Sequence, residues 1–158
     1  MNEIRFRRGS LTDIDTIIHH RVQMFADMGA APEETWPRLQ AMGESYFREA
    51  LASGTYLAWL AESGSRVVGG GGIVLAGWPG SPWDNQSRRA WILNMYVEPE
   101  FRRRGIAREL MQLMLAWCRS EGLAIVNLHA SREGRALYES LGFKPTNEMR
   151  LKLREPEL

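Results

Sequence analysis

Apolar and polar positions along the chain change period several times, and each change marks an element. Ile4 and Phe6 alternate with Arg5 and Arg7, the two-residue period of a half-buried strand. Ser10 and Asp13 then have the spacing of a capping box, in which each end of the first turn satisfies an amide of the other. Ile14, Ile17, Ile18 and Phe25 follow at helical spacing. A second helix is predicted from Pro32, Glu33 and Glu34, with Trp36, Leu39, Tyr46, Phe47 and Leu51 as its apolar stripe and Gly54 as its stop. Tyr56 to Ala61 and Arg66 to Ala76 read as two strands joined by Glu-Ser-Gly-Ser, a hairpin connection.

From Trp78 to Arg89 the chain holds Pro79, Gly80, Pro82, Asp84 and Asn85, the composition of an exposed loop. Ala90 to Val97 is a dense apolar strand stopped by Glu98 and Pro99. Ile106, Leu110, Leu113, Met114 and Trp117 form the apolar face of a long helix within 104–121, closed by Gly122. A strand over 123–128, a short helix over 131–141 and one or two strands over 143–153 complete the reading. Strand, helix and strand between 90 and 128 make a βαβ unit, so those two strands should run parallel. With the earlier hairpin, this predicts an α/β domain on a mixed sheet. No linker, repeat or low-complexity tract interrupts residues 1–158, so a single domain is expected.

Composition narrows the function classes. The 158 residues are 44% hydrophobic and 25% charged, with 20 Lys plus Arg against 19 Asp plus Glu and a formal net charge of +1. That balance gives no global attraction to nucleic acid or to acidic membranes. Cys118 is the only cysteine and cannot form an internal disulfide, which points to a reducing, cytoplasmic setting. The charged start, MNEIRFRRGS, is not a signal peptide, and no apolar run is long enough to span a bilayer.

The stretch richest in chemistry is LNMYVEPEFRRRGIA, from Leu93 to Ala107. It reads as a buried strand, a basic turn and a helix opened by Gly105. The first turn of a helix has amides without internal partners, and the summed peptide dipole makes that end positive. Arg102, Arg103 and Arg104 add charge there, while Gly105 and Ala107 leave the backbone approachable. These are the parts of a phosphate cradle. A Walker loop is excluded because no Gly-Lys-Ser/Thr follows, and a dinucleotide fingerprint because its glycine spacing is missing.

About thirty residues on comes SREGRALYESLGF, from Ser131 to Phe143. Together the two segments resemble the GNAT superfamily of N-acetyltransferases. Its Gln/Arg-x-x-Gly-x-Gly/Ala pattern is filled in register by Arg102, Gly105 and Ala107, and its closing Ala-Leu-Tyr, three residues, Gly-Phe by 136–143. The resemblance covers residues 90–143 well, and the first 55 residues only in the order of their elements. It implies a central mixed sheet flanked by helices, with two splayed parallel strands holding acetyl-coenzyme A. In that picture Met95, Tyr96 and Val97 offer backbone to the pantetheine arm. The diphosphate lies over the amides of Arg103, Arg104, Gly105, Ile106, Ala107 and Arg108, with Arg102 beside it.

The resemblance further implies that Ser131 and Arg135 contribute to the cofactor site and that Tyr138 is the general acid on the departing thiolate. Many relatives have asparagine where Ser131 stands, so that residue's contacts do not carry over. The implied reaction is direct attack of an amine on acetyl-coenzyme A through a tetrahedral intermediate. Its acceptor is a small molecule or a peptide, with neither nucleic acid nor membrane as partner, and family habit leaves a homodimer open. The rival reading is a non-catalytic acyl-coenzyme A sensor on the same scaffold.

The base that accepts the amine's proton does not transfer from the resemblance. His129, after the second parallel strand, and Glu98, at the end of the first, are the candidates. His19 and His20 are adjacent on a helix and should face different ways, so no metal is expected. Gly69 to Gly72 sits in a strand pattern and marks a bulge or a close backbone approach. Met24, Phe25, Met28 and Trp36 are core residues that could also wall the acceptor pocket, and Trp78 and Trp83 suggest a lid or a dimer contact.

Overall fold

The computed structural model describes residues 3–154. Five strands lie side by side in chain order: β1 (Ile4–Arg8), β2 (Tyr56–Ser63), β3 (Arg66–Gly77), β4 (Arg88–Val97) and β5 (Val126–Leu128). The first three pairings are antiparallel and β4–β5 is parallel, as the βαβ reading required. Helices α1 (Ile14–Asp27) and α2 (Trp36–Ser53) connect β1 to β2. Helix α3 (Ile106–Ser120) connects β4 to β5, and α4 (Arg135–Ser140) follows.

Strand alternation assigns the two faces. Tyr56 and Ala58 of β2 pack with Ile17 of α1 and Phe47 and Ala50 of α2. Trp59 and Ala61, on the opposite side of the same strand, join Val68, Ile73, Leu110, Met111, Met114 and Cys118 of the larger core. Near β1, the Ser10 amide donates to Asp13 Oδ2 at 2.8 Å, closing the expected cap. Arg7 Nη2 holds the other carboxylate oxygen of Asp13 at 2.8 Å, and its Nε holds Glu62 Oε1 at 2.6 Å. Arg7 keeps the Asp13 carboxyl below its ordinary range, with burial opposing.

Four expectations are corrected. The last parallel strand begins at Val126, because 121–122 form the turn out of α3 and pairing with β4 starts only at Val126. Helix α4 is shorter than expected, since Ser131 to Gly134 form a turn in which Ser131 Oγ accepts the Gly134 amide at 3.0 Å. Residues 143–153 form no strand, and Met149, Leu151 and Leu153 stand exposed despite their alternation. Tyr46 is exposed rather than part of the α2 stripe.

Candidate active site

Strand β4 carries a bulge in the middle of its pairing with β3. Gly70 pairs with Tyr96 and Gly72 with Leu93, so β4 uses one more residue than β3 over that interval. The irregular residue is Asn94, whose φ of 59° is left-handed. Asparagine is among the few side chains that accept this backbone readily. Its buried amide is held at both ends: Oδ1 accepts from Arg21 Nη1 at 2.6 Å, and Nδ2 donates to the Tyr56 hydroxyl at 3.1 Å. The close backbone approach expected at Gly69–Gly72 is present, but the extra residue belongs to the facing strand.

The bulge coincides with the parting of the parallel strands. β4 and β5 pair only from Ala90–Val126 to Ile92–Leu128. From Leu93 to Val97, the edge of β4 that faces β5 has no strand partner among the described residues. Met95, Tyr96 and Val97, the residues expected to meet the pantetheine arm, lie on this stretch.

Past Val97, a 3-10 turn over Pro99–Phe101 leads into the basic loop. Arg102 is turned back onto the strand, its Nε donating to the Val97 carbonyl at 2.8 Å and its Nη2 paired with Asp27. Arg103 (φ 63°) and Gly105 (φ 81°) are both left-handed, with Arg104 between them at negative φ. Such alternation gathers backbone amides into an anion-binding concavity. The amides of Arg103, Gly105, Ile106, Ala107 and Arg108 have no acceptor among the described residues; the first amide of this region to find one is Glu109, which donates to the Gly105 carbonyl at 3.0 Å. Nothing lies within 4 Å of where a Cβ on Gly105 would be, so the loop is open on that side. Arg108 Nη2 donates to Ser140 Oγ at 2.8 Å and ties the start of α3 to α4.

Tyr138 projects from α4 into the larger core, edge-on to Phe143, with its ring across Gly134. Burial pushes its phenol above the ordinary value, so the group stays protonated. The residue is 9% exposed, and its hydroxyl makes no hydrogen bond among the described residues. Arg135, on the first turn of α4, pairs with Glu139 at 2.8 Å and is exposed.

The two candidate bases sit in different surroundings. His129 is exposed directly beyond the end of the β4–β5 pairing, with its ring 5.2 Å from Trp91. Its Nε2 lies 3.1 Å from Glu148 Oε1 and 3.2 Å from Arg150 Nη2. Glu98 is buried on the β3 side, within 3.3 Å of His19 Nε2, 3.4 Å of the Tyr96 hydroxyl, 3.8 Å of Arg66 and 3.9 Å of His20 Nε2. His19 and His20 thus differ in exposure, as adjacent helical residues should, but both reach the same carboxylate. Among the described residues, no three His, Cys, Asp or Glu side chains are grouped to hold a metal ion. No described helix is long and apolar enough to cross a membrane.

The sequence reading did not single out Asn94, Arg21 or Tyr56. Asparagine inside an otherwise apolar strand was the available signal, since it is depleted from strands and tolerates left-handed backbone.

The splayed parallel pair, the bulge and the open amides at the start of α3 describe one kind of protein, and comparison with known proteins agrees. Residues 22–143 match the acetyltransferase (GNAT) family, and the chain belongs to it. The chain is 33% identical over 96 residues to N-acetyltransferase 8 of Homo sapiens, an alignment covering 57% of this chain and 39% of that protein. It thus spans well under half the length of that curated relative. A GCN5-related N-acetyltransferase from Ralstonia eutropha JMP134 has the same fold, with a TM-score of 0.90, 32% identity and coverage of 96% of this chain and 99% of that one. A predicted acetyltransferase from Clostridium acetobutylicum, solved with acetyl-coenzyme A, superposes with a TM-score of 0.85 at 26% identity, covering 96% of each chain.

Proposed function

We propose that this chain moves the acetyl group of acetyl-coenzyme A onto an amine. One observation carries the reading: the open amides of Arg103, Gly105, Ile106, Ala107 and Arg108 lie at the end of a strand whose edge is unpaired from Leu93 to Val97 among the described residues. A helix-start cradle suits a diphosphate, and an unpaired strand edge suits the amide-bearing pantetheine arm. The residues present fit that cosubstrate without a side chain having to move out of Gly105's open side. Solution of the Clostridium acetobutylicum relative with acetyl-coenzyme A supports the same assignment.

In this reading the nitrogen lone pair of the neutral amine attacks the thioester carbonyl carbon. The carbon–sulfur bond then breaks, leaving an amide and a thiolate. Tyr138 gives its phenolic proton to the sulfur and regains one released from the nitrogen, so the enzyme ends unchanged. A phenol near pKa 10 and a thiol near 8.5 are matched closely enough for that exchange. Two features of the chain support Tyr138 in this role: the phenol is kept protonated by burial, and its hydroxyl is not engaged by another group among the described residues. His129, exposed beside the opening between β4 and β5, is the better-placed base, since Glu98 is enclosed by His19, His20, Arg66 and Tyr96.

Free thiol released from acetyl-coenzyme A across a panel of amines tests this. Wild type is expected to turn over at least one amine, and Tyr138→Phe to lower kcat on the order of a hundredfold. Tight coenzyme A binding with no acetylation of any amine would leave the sensor reading in its place.

A further inference from the structure

Arg21 leaves α1 and lays its guanidinium against the β4 bulge. Nη1 donates to Asn94 Oδ1, and the guanidinium carbon stands 4.9 Å from the centre of the Phe25 ring and 5.7 Å from that of Phe47. A guanidinium has five N–H donors, of which Asn94 takes one. Asn94 is neutral, so the hydrogen bond fixes the cation without cancelling its charge. Arg7, Arg66 and Arg102 each have a carboxylate within 4 Å, whereas Arg21 has none among the described residues. Burial lowers its pKa, with Tyr56 and Tyr46 opposing. The molecule therefore holds an oriented, half-buried and uncompensated cation on the bulge, next to where β4 and β5 part.

We infer that the acceptor is an amine that also carries a carboxylate, an amino acid in chemical class, and that Arg21 receives the carboxylate. The planar fork matches the two oxygens of a carboxylate in a way a lysine ammonium does not. One uncompensated cation answers one negative charge, which favours a carboxylate over a phosphate dianion. Phe25, half-exposed beside the guanidinium, borders the same place and offers apolar contact to the rest of the acceptor. The inference rests on the transferase reading above and adds the acceptor class to it.

The test compares kcat/KM for amino acids, for their carboxamides and for aminoalkyl phosphates of matching length, in wild type, Arg21→Met and Arg21→Lys. Wild type is expected to prefer the free acid. The acid-to-amide ratio should fall by about ten- to a hundredfold in Arg21→Met, mostly through KM, as for loss of a charge-assisted hydrogen-bond pair. Arg21→Lys should lose part of it. Equal use of acid and amide by wild type, an equal loss on both in Arg21→Met, or preference for the phosphate overturns the inference. A second readout needs no turnover: calorimetric binding of N-acetylphenylalanine to the protein loaded with coenzyme A. If that binding depends on Arg21 but no amine is acetylated, the carboxylate receptor stands and the transferase reading falls. If amines are acetylated without Arg21-dependent discrimination, the transferase reading stands and this inference falls. Should Arg21→Met fail to fold, the wild-type panel and Arg21→Lys decide it.

Discussion

Tyr56 lies across Gly72, so that a Cβ at position 72 would fall on the phenol well inside van der Waals contact. The same hydroxyl accepts from Asn94, which links a bare position on β3 to the bulge on β4. Tyr56 is 1% exposed and has nowhere to swing. Gly72→Ala is therefore expected to cost about 1–3 kcal/mol by overpacking, and to disturb the Asn94 contact as well. Urea denaturation checks the first, and KM for the acceptor the second. Unchanged stability would mean that the ring is not fixed there.

Asn94 combines a left-handed backbone with one buried and one partly buried hydrogen bond. Asn94→Ala loses both and adds backbone strain, for a total of about 2–4 kcal/mol. Asn94→Gly loses the hydrogen bonds but keeps the backbone, so it should be the milder variant despite being the larger truncation. Equilibrium unfolding of the two ranks them. If Asn94→Gly is the worse, the left-handed conformation is not what asparagine supplies.

His20 is 2% exposed, and its Nε2 makes no hydrogen bond among the described residues. Burial first, then His19 and Arg66, lower its pKa from the ordinary value of 6.5 to about 4. Between those values the unfolded chain binds the proton and the folded one does not. The stabilisation is thus fully present above pH 6.5 and is lost as the pH falls toward 4. Its size is on the order of 2–3 kcal/mol, an upper figure because Glu98, at 3.9 Å, favours the charged form. His20→Leu should flatten the stability profile over that window. A profile of the same slope in the variant would place the titration elsewhere.

Strand and helix order were legible because each apolar stripe is matched to one face: Tyr56 and Ala58 to α1 and α2, Trp59 and Ala61 to α3. The phosphate cradle was legible for a different reason, since Gly105 and its basic neighbours act through local backbone. What escaped depended on tertiary register. The apolar run of β4 continues on both sides of Asn94, and only the pairing of Leu93 with Gly72 shows that a residue is extra. Arg21 reads as an ordinary polar helix position until Asn94 is placed beneath it. Met149, Leu151 and Leu153 alternate like a strand, but no partner strand is present among the described residues, and the alternation alone does not form one.

Titrating the protein with coenzyme A in a calorimeter tests the central claim most directly, with Ala107→Glu alongside. A glutamate in the first turn suits the α3 dipole and should leave the fold intact, yet it sets a negative charge among the open amides. Wild type should bind saturably, and Ala107→Glu should bind at least about tenfold more weakly, the equivalent of some 1.4 kcal/mol. No heat with wild type, or equal affinity in both proteins, would contradict the diphosphate seat at the start of α3.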